Sequence, residues 1–389
     1  MTPIYLDNAA STQRPASVLQ AMADCYERYY ANVHRGIHTL SEDATERYED
    51  ARTTVARFIG AAHDHEVIFT AGCTAAINLV ARSWGDANLS DSDTVLTTIM
   101  EHHANIVPWQ QLAQRTGCRV EFVPLTSEGL LDRDVFSQKL EQLRPKIVAV
   151  SATSNTLGTI NPVRELVQQA HEAGAITLVD AAQAAPHSEL DVAQWDADFV
   201  VFSGHKLCGP SGIGVLWGTA SLLDGMPPFL GGGAMIHRVT TSGYEPAGLP
   251  EKFEAGTPPI AEAIGLAAAI DYVSAIGLSK IHAYEQELVQ IAHDGLAQID
   301  GVKILGPSPA KKAGIASFVI DGLHPQDLSQ WVDRRGYAIR ARHHCTMPLH
   351  DSLGISASSR ASFYFYNTPG EVQGFVEAVA RAKARFTRS

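Results

Sequence analysis

Seven short, apolar, β-branched runs punctuate the first part of the chain, and they constrain its fold more than any other feature. They are Val67–Thr70, Thr94–Thr98, Arg119–Pro124, Ile147–Val150, Ile176–Val179, Phe199–Phe202 and Ile213–Trp217. Helix-period segments separate most of them. In Ser41–Ile59, for example, Ser41 is placed to cap and Tyr48, Val55 and Ile59 fall on one face. Continuously apolar strands alternating with helices predict a mainly parallel α/β sheet covered on both faces, because a strand buried on two sides needs no polar alternation. The last two runs lie close together, so an antiparallel neighbour is expected there.

At 389 residues the chain exceeds what one hydrophobic core organises, and two domains are expected. After Pro258-Pro259 a helix-period region runs to about Gln298, broken near Gly277, and the domain break falls in or near Glu262–Gly277. The remainder of the chain reads as a smaller α+β unit with a strand at Ser362–Tyr366. Thr368-Pro369-Gly370-Glu371 then supplies an N-cap, an N1 proline and a capping-box glutamate for a last helix.

Composition excludes several classes. With 45% apolar and 19% charged residues the chain is not disordered. Its 30 basic against 42 acidic residues, net −12, argue against a general binder of nucleic acid or of a membrane surface. Met1 to Thr12 lacks a signal-peptide pattern, and no run of eighteen uncharged apolar residues occurs. The five cysteines (25, 73, 118, 208 and 345) are scattered without a CxxC pair. A reducing cytoplasm is therefore expected, with neither a disulfide framework nor a zinc cluster.

Four elements at the strand ends carry chemistry. Lys206, in Ser203-Gly204-His205-Lys206, comes after a buried-type strand, where desolvation lowers an amine's pKa as imine formation requires; alone it also reads as a surface lysine in a polar turn. Asp180 ends another such strand, 26 residues earlier. A strand-end carboxylate paired with a lysine matches the needs of pyridoxal phosphate, although Asp180 alone reads equally well as a helix N-cap. Thr70-Ala71-Gly72-Cys73-Thr74 reads as a turn into a helix N-terminus, an anion site to which Thr74 adds a hydroxyl. Glu101-His102-His103-Ala104-Asn105 places an imidazole where it could stack on a cofactor ring, or forms a surface histidine pair.

With these motifs in order, the chain closely resembles the group II (Suf-type) cysteine desulfurases and their selenocysteine lyase relatives. The resemblance spans nearly the whole length. It rests on Tyr5–Ala10, Asn32–His38, Glu101–Trp109, Ser154–Gly158, Asp180–Gln183, Ser203–Lys206, Phe253–Pro258 and His343–Cys345. It implies a fold-type I, aspartate aminotransferase-like pyridoxal 5'-phosphate enzyme working as a homodimer. The large domain would span residues 14–265, and the small one residues 266–389 together with 1–13. By the same resemblance Lys206 is the Schiff-base lysine, Asp180 the partner of the ring nitrogen, and His102 the stacking residue. Asn155 and Gln183 bond the phenolic oxygen region, while Thr74, Ser203 and His205 hold the phosphate with Thr257 of the second subunit. Arg360 grips the substrate carboxylate, with His34, Asn155 and Arg340 also on the substrate side.

Cys345 separates this family from ordinary aminotransferases. It lies 15 residues before Arg360 in a basic segment that favours a thiolate nucleophile. The resemblance implies conversion of L-cysteine to L-alanine, a persulfide on Cys345, and transfer to a SufE- or SufU-like acceptor for iron–sulfur assembly. Selenocysteine lyase, another β-eliminating lyase, and a non-catalytic sulfur carrier are the alternatives. His343-His344-Cys345 also reads as metal ligands, but adjacent residues rarely converge on one ion and two nearby arginines disfavour a cation, so no metal is expected. Two positions depart from the family. Arg342 stands where glycine is usual, with loop stiffness, acceptor docking or the thiol pKa as the property it changes. Cys73 stands where threonine is usual, losing a hydroxyl while keeping its N–H for the phosphate.

Overall fold

The computed structural model describes residues 3–386. Its centre is a seven-stranded sheet of β1 (Val67–Thr70), β2 (Thr94–Thr98), β3 (Arg119–Val123), β4 (Ile147–Ser151), β5 (Ile176–Asp180), β6 (Phe199–Ser203) and β7 (Gly214–Gly218), in the order β1-β7-β6-β5-β4-β2-β3. Strands β2 to β6 are mutually parallel. The expected antiparallel strand is β7, which runs against both β6 and β1.

Helices α1 (Thr39–Phe58), α2 (Cys73–Val80), α3 (Val107–Thr116), α4 (Arg133–Leu143) and α5 (Val163–Glu172) cover the two faces. Consecutive residues of β6 divide between them, as a strand requires. Val200 and Phe202 pack with Tyr48 and Val55 of α1, whereas Phe199 and Val201 pack with Ile77 and Val80 of α2 and with Trp109 of α3. Each such side chain, fully removed from water, contributes about 1.5–3 kcal/mol. The expected cap of α1 is displaced. The helix begins two residues before Ser41, and His38 Nδ1 accepts the Ser41 N–H at 3.3 Å. The Ser41 hydroxyl instead donates to the Asn32 carbonyl at 2.6 Å and accepts from Gly36 N–H at 3.1 Å, so it holds the preceding loop.

An exposed hairpin, β8 (Ile236–Val239) and β9 (Tyr244–Pro246), leads to α6 (Ile260–Ile276) and α7 (Leu278–Ala297). These two helices part at Gly277, whose φ of +95° suits glycine. A second sheet comes next, formed by β10 (Val302–Leu305), β11 (Ile315–Ile320), β12 (Arg340–Arg342) and β13 (Ser358–Ser362), antiparallel throughout in the order β10-β11-β13-β12. Helices α7, α8 (Pro325–Asp333) and α9 (Pro369–Phe386) bury Leu288, Leu328 and Phe375 with its Phe318. The predicted capping box forms, with Thr368 N–H on Glu371 Oε2 at 2.8 Å and Glu371 N–H on Thr368 Oγ1 at 3.3 Å.

The strand expected at 362–366 instead spans Ser358–Ser362. Past it, Asn367 closes a turn on Tyr364, accepting its N–H at 3.0 Å through the side chain and donating its own N–H to the Tyr364 carbonyl at 2.9 Å. The aromatic run has the higher strand propensity, but the buried Ser-Ser-Arg-Ala-Ser segment takes the ladder. Residues 4–9 lie along this second sheet, with Ser362 N–H donating to the Leu6 carbonyl at 2.8 Å. Among the described residues, no single helix is long and apolar enough to cross a membrane.

Candidate active site

Because β7 is reversed, β1 and β6 end on the same edge as β2, β4 and β5. Thr70, Thr98, Ser151, Asp180 and Ser203 thus terminate side by side, the edge at which parallel sheets expose ligand-binding ends. A cavity of about 250 Å³ opens there. It is lined by Lys206, Asp180, Ser203, His205, Cys73 and Thr74 together with His102, Asn155, Arg340, Cys345 and Arg360.

The glycine turn after β1 is shaped by close packing. Gly72 has φ +136°, and a Cβ added to Gly214 at the start of β7 would lie 2.5 Å from the Gly72 Cα. The turn delivers Cys73 as the first residue of α2, with its N–H on Ser203 Oγ at 2.8 Å. The N–H expected to serve a phosphate therefore holds Ser203. The next amides of the first turn have no acceptor within the helix and are left for a ligand. At the end of β5, Asp180 Oδ1 accepts the Ala182 N–H at 2.9 Å and the Cys73 thiol at 3.3 Å. It thus caps a turn, with no helix following it, and lines the cavity at once.

Lys206 makes no hydrogen bond or ion pair among the described residues. Burial lowers its pKa from the ordinary lysine value, opposed by the Asp180 charge. His102 Nδ1 accepts the Ala104 N–H at 3.0 Å, which leaves the ring proton of the neutral form on Nε2. Burial, with Lys206 nearby, pushes this imidazole down to about 3, and His205 similarly to about 4, so both are neutral near pH 7. Neighbouring Glu101 is fully buried, accepting from Thr98 Oγ1 at 2.6 Å, Asn105 Nδ2 at 2.7 Å and both donors of Ser151. Burial raises it to about 7 against those hydrogen bonds.

Arg360, 1% exposed, sits in the middle of the second sheet and reaches the cavity. Its Nη2 pairs with Asp7 Oδ1 at 3.0 Å and its Nη1 donates to the Asn155 carbonyl at 2.7 Å, while its Nε is buried without a partner. Arg340 shares the other Asp7 oxygen at 3.2 Å. The Asn155 amide does not face the cavity alone; it donates to the His344 carbonyl at 2.7 Å and so holds the Cys345 loop. His103 N–H on the Cys345 carbonyl (2.8 Å) and Met347 N–H on His103 Nε2 (3.0 Å) tie that loop to the His102 segment. Cys345 is the one exposed thiol; Cys25, Cys73, Cys118 and Cys208 are buried, and none is paired.

The chain belongs to the aminotransferase class-V family. That family's model matches residues 4–375. A probable cysteine desulfurase of Streptomyces coelicolor is 49% identical over 98% of this chain and 93% of its own length. The cysteine desulfurase of Haloferax volcanii is 48% identical over 98% and 90%. Among solved structures, the apo cysteine desulfurase of Thermococcus onnurineus NA1 superposes with a TM-score of 0.95 at 42% identity, covering 98% of this chain and 95% of that one. The Escherichia coli cysteine desulfurase CsdA, in an S-sulfonic acid form, gives 0.92 at 37% identity over 99% and 95%. The family membership and the mixed α/β fold expected from the sequence are thereby established.

Three expected site residues lie elsewhere within one chain. Gln183 sits just behind the cavity, donating to the Ala9 carbonyl at 2.6 Å with its Oε1 buried and unpartnered. Thr257 and His34 line a separate depression of about 160 Å³ with Arg35 and Glu254, and His34 pairs with Glu49 at 2.8 Å. Asp7, Ala9 and Glu101 are supports whose roles the sequence did not suggest. Tyr5–Ala10 and Glu101–Trp109 stood out only as motifs, and nothing local shows that Asp7 reaches a guanidinium 353 residues away. Among the described residues no three His, Cys, Asp or Glu side chains converge as metal ligands, and His344 turns inward to Ser358.

Proposed function

We propose that this chain is a pyridoxal phosphate-dependent cysteine desulfurase that converts L-cysteine to L-alanine and carries the sulfur as a persulfide on Cys345. The observation that carries the reading is one cavity holding an unpaired lysine, a strand-end carboxylate, a buried arginine and an exposed thiol. Full-length relatives named cysteine desulfurase support the same activity.

The cavity residues fit the cofactor. Asp180 Oδ2 takes no hydrogen bond among the described residues, Gln183 Oε1 is an orphaned acceptor-capable atom, and Lys206 makes no hydrogen bond or ion pair among them. Lys206 would hold the aldehyde carbon, Asp180 the ring nitrogen, and His102 the ring face; Thr74, Ser203 and His205 would hold the phosphate beside the α2 N-terminus. When bound, pyridoxal phosphate supplies an electron sink that acidifies the substrate Cα–H.

Everything else is done by this chain. Arg360, pre-aimed by Asp7, binds the substrate carboxylate through its Nε, the guanidinium nitrogen left without a partner among the described residues. Lys206, whose lowered pKa leaves it able to accept a proton, takes the proton from Cα. The Cys345 thiolate attacks the substrate sulfur: a S–S bond forms, the C–S bond breaks, the electron pair left on Cβ takes up a proton equivalent to the one Cys345 gave up on becoming a thiolate, and Lys206 returns its proton to Cα to give alanine. Cysteine and enzyme thiol thus become alanine and enzyme persulfide, with atoms balanced.

Thr257 and His34 lie apart from the cavity of their own chain, which supports a homodimer in which each subunit completes the other's site. Exposed Ile37, Leu230, Val239 and Tyr244 near that depression and on the hairpin are apolar surface a second copy would cover. The domain division at 265/266, the SufE- or SufU-like acceptor and a cytoplasmic setting remain part of this proposal. Mass spectrometry after L-cysteine should find one added sulfur on the Cys345 peptide. Cys345→Ser should keep pyridoxal phosphate and lose the added sulfur; sulfur transfer by that variant at the parental rate would sink the reading.

A further inference from the structure

The two thiols in the cavity differ in setting. Cys345 is exposed, whereas Cys73 is buried at the N-terminus of α2 with its Sγ 3.3 Å from Asp180 Oδ1. The same Oδ1 accepts the Ala182 N–H at 2.9 Å, and Oδ2 is left without a donor on the cavity side. Burial and the Asp180 charge both push the Cys73 thiol well above its ordinary range, so the proton stays on sulfur and the thiol acts as a donor. Its backbone is equally constrained, because the Cys73 N–H is held by Ser203 Oγ at 2.8 Å.

We propose that Cys73 is a positioning residue for Asp180. Its S–H and the Ala182 N–H together occupy Oδ1, which fixes the carboxylate plane and reserves Oδ2 for the ring nitrogen of the cofactor. The inference rests on the pyridoxal phosphate reading above and makes this chain's cysteine the second donor to that oxygen, beside the Ala182 N–H. A carboxylate with one oxygen saturated cannot rotate to offer the wrong atom, and the donated hydrogen bond withdraws charge from the oxygen that remains. Two links of the site are thereby joined, since Cys73 holds Ser203 on the phosphate side and Asp180 on the nitrogen side.

The S–H stretch absorbs in an otherwise empty part of the infrared spectrum and moves to lower frequency when the thiol donates. In cofactor-free protein, the difference between parent and Cys73→Ser should show a Cys73 band at the hydrogen-bonded position, and Asp180→Ala should return it to the position of a free thiol. Titration with pyridoxal phosphate should then show Cys73→Ala binding about tenfold more weakly, with an altered pH dependence of its visible absorption. Cys73→Ser, which restores a donor, should recover both. A free-thiol band unmoved by Asp180→Ala, or parental affinity and pH profile in Cys73→Ala, would overturn the proposal. Failure of the parent itself to bind pyridoxal phosphate, with the shifted band intact, would overturn the functional reading and with it the role given to Oδ2.

Discussion

Arg342 has a φ of +109°, a conformation that costs a residue with a Cβ about 1–3 kcal/mol and glycine little. It is offset by the guanidinium, whose Nε and Nη2 lie 2.9 and 3.1 Å from the Gln326 side-chain oxygen when that amide is turned to accept from them. Of the consequences left open by the sequence, a stiffened loop is the one with a structural basis. Arg342→Gly should be at least as stable as the parent, because relief of strain exceeds the lost surface hydrogen bonds and the added chain entropy. Arg342→Ala keeps the strain and loses the bonds, and should fall about 0.5–1 kcal/mol below in urea denaturation. Lys206 and Asp180 stood out in the sequence at strand ends and Cys345 in a basic segment, whereas Arg360, in the middle of a strand, was named only through the family resemblance. Backbone strain at Arg342, and at His344 and Cys345 (φ +49° and +60°), leaves no such trace in composition.

Elements were legible where burial and periodicity agreed. The seven core runs and the break at Gly277 arise from apolar patterning, and the last helix from its capping box. The β13 strand was not, since Ser-Ser-Arg-Ala-Ser carries neither β-branched residues nor alternation and is set in place by its neighbours in the sheet. Between elements, Glu254 is the clearest clamp. Its carboxylate takes Arg52 Nη1 at 2.7 Å, Arg52 Nη2 at 2.9 Å, Tyr48 OH at 2.9 Å and Phe69 N–H at 2.7 Å, joining α1, β1 and the segment before α6. Arg52, 2% exposed, also donates to the Val67 carbonyl. Arg52→Ala would strand a buried carboxylate and is expected to cost about 3–5 kcal/mol, read as a lower denaturant midpoint. A loss under about 1 kcal/mol would mean that water replaces the guanidinium.

At the scale of the molecule, the two sheets meet where the Ser154–Asn161 loop runs beside Lys312 and Ala313. Ala313 N–H donates to the Gly158 carbonyl at 2.9 Å, and Thr159 bridges Lys312. Lys312 is fully buried, donating to the Leu305 carbonyl at 2.9 Å and to His293 Nε2 at 3.1 Å with no carboxylate partner, and burial brings it down to about 7 from 10.5. Between those two pH values the unfolded chain binds the proton and the folded chain does not. The contribution of this lysine to stability therefore rises with pH across that window and is at its least favourable below about 7. Lys312→Met should be more stable than the parent at pH 7, the gap closing toward pH 10, as unfolding midpoints at several pH values would measure. The seam also explains what sequence alone left dark. Which residue of one sheet steadies the other is set by contacts more than 150 positions apart.

Asp7 offers the plainest case. The guanidinium assigned to the substrate's acid group is aimed by a side chain 353 residues away in the sequence. Any substitution at Asp7 therefore alters part of the recognition apparatus, although it lies outside the strands that carry the two arginines. An Asp7→Asn protein would be expected to fold normally and yet saturate poorly with amino acid.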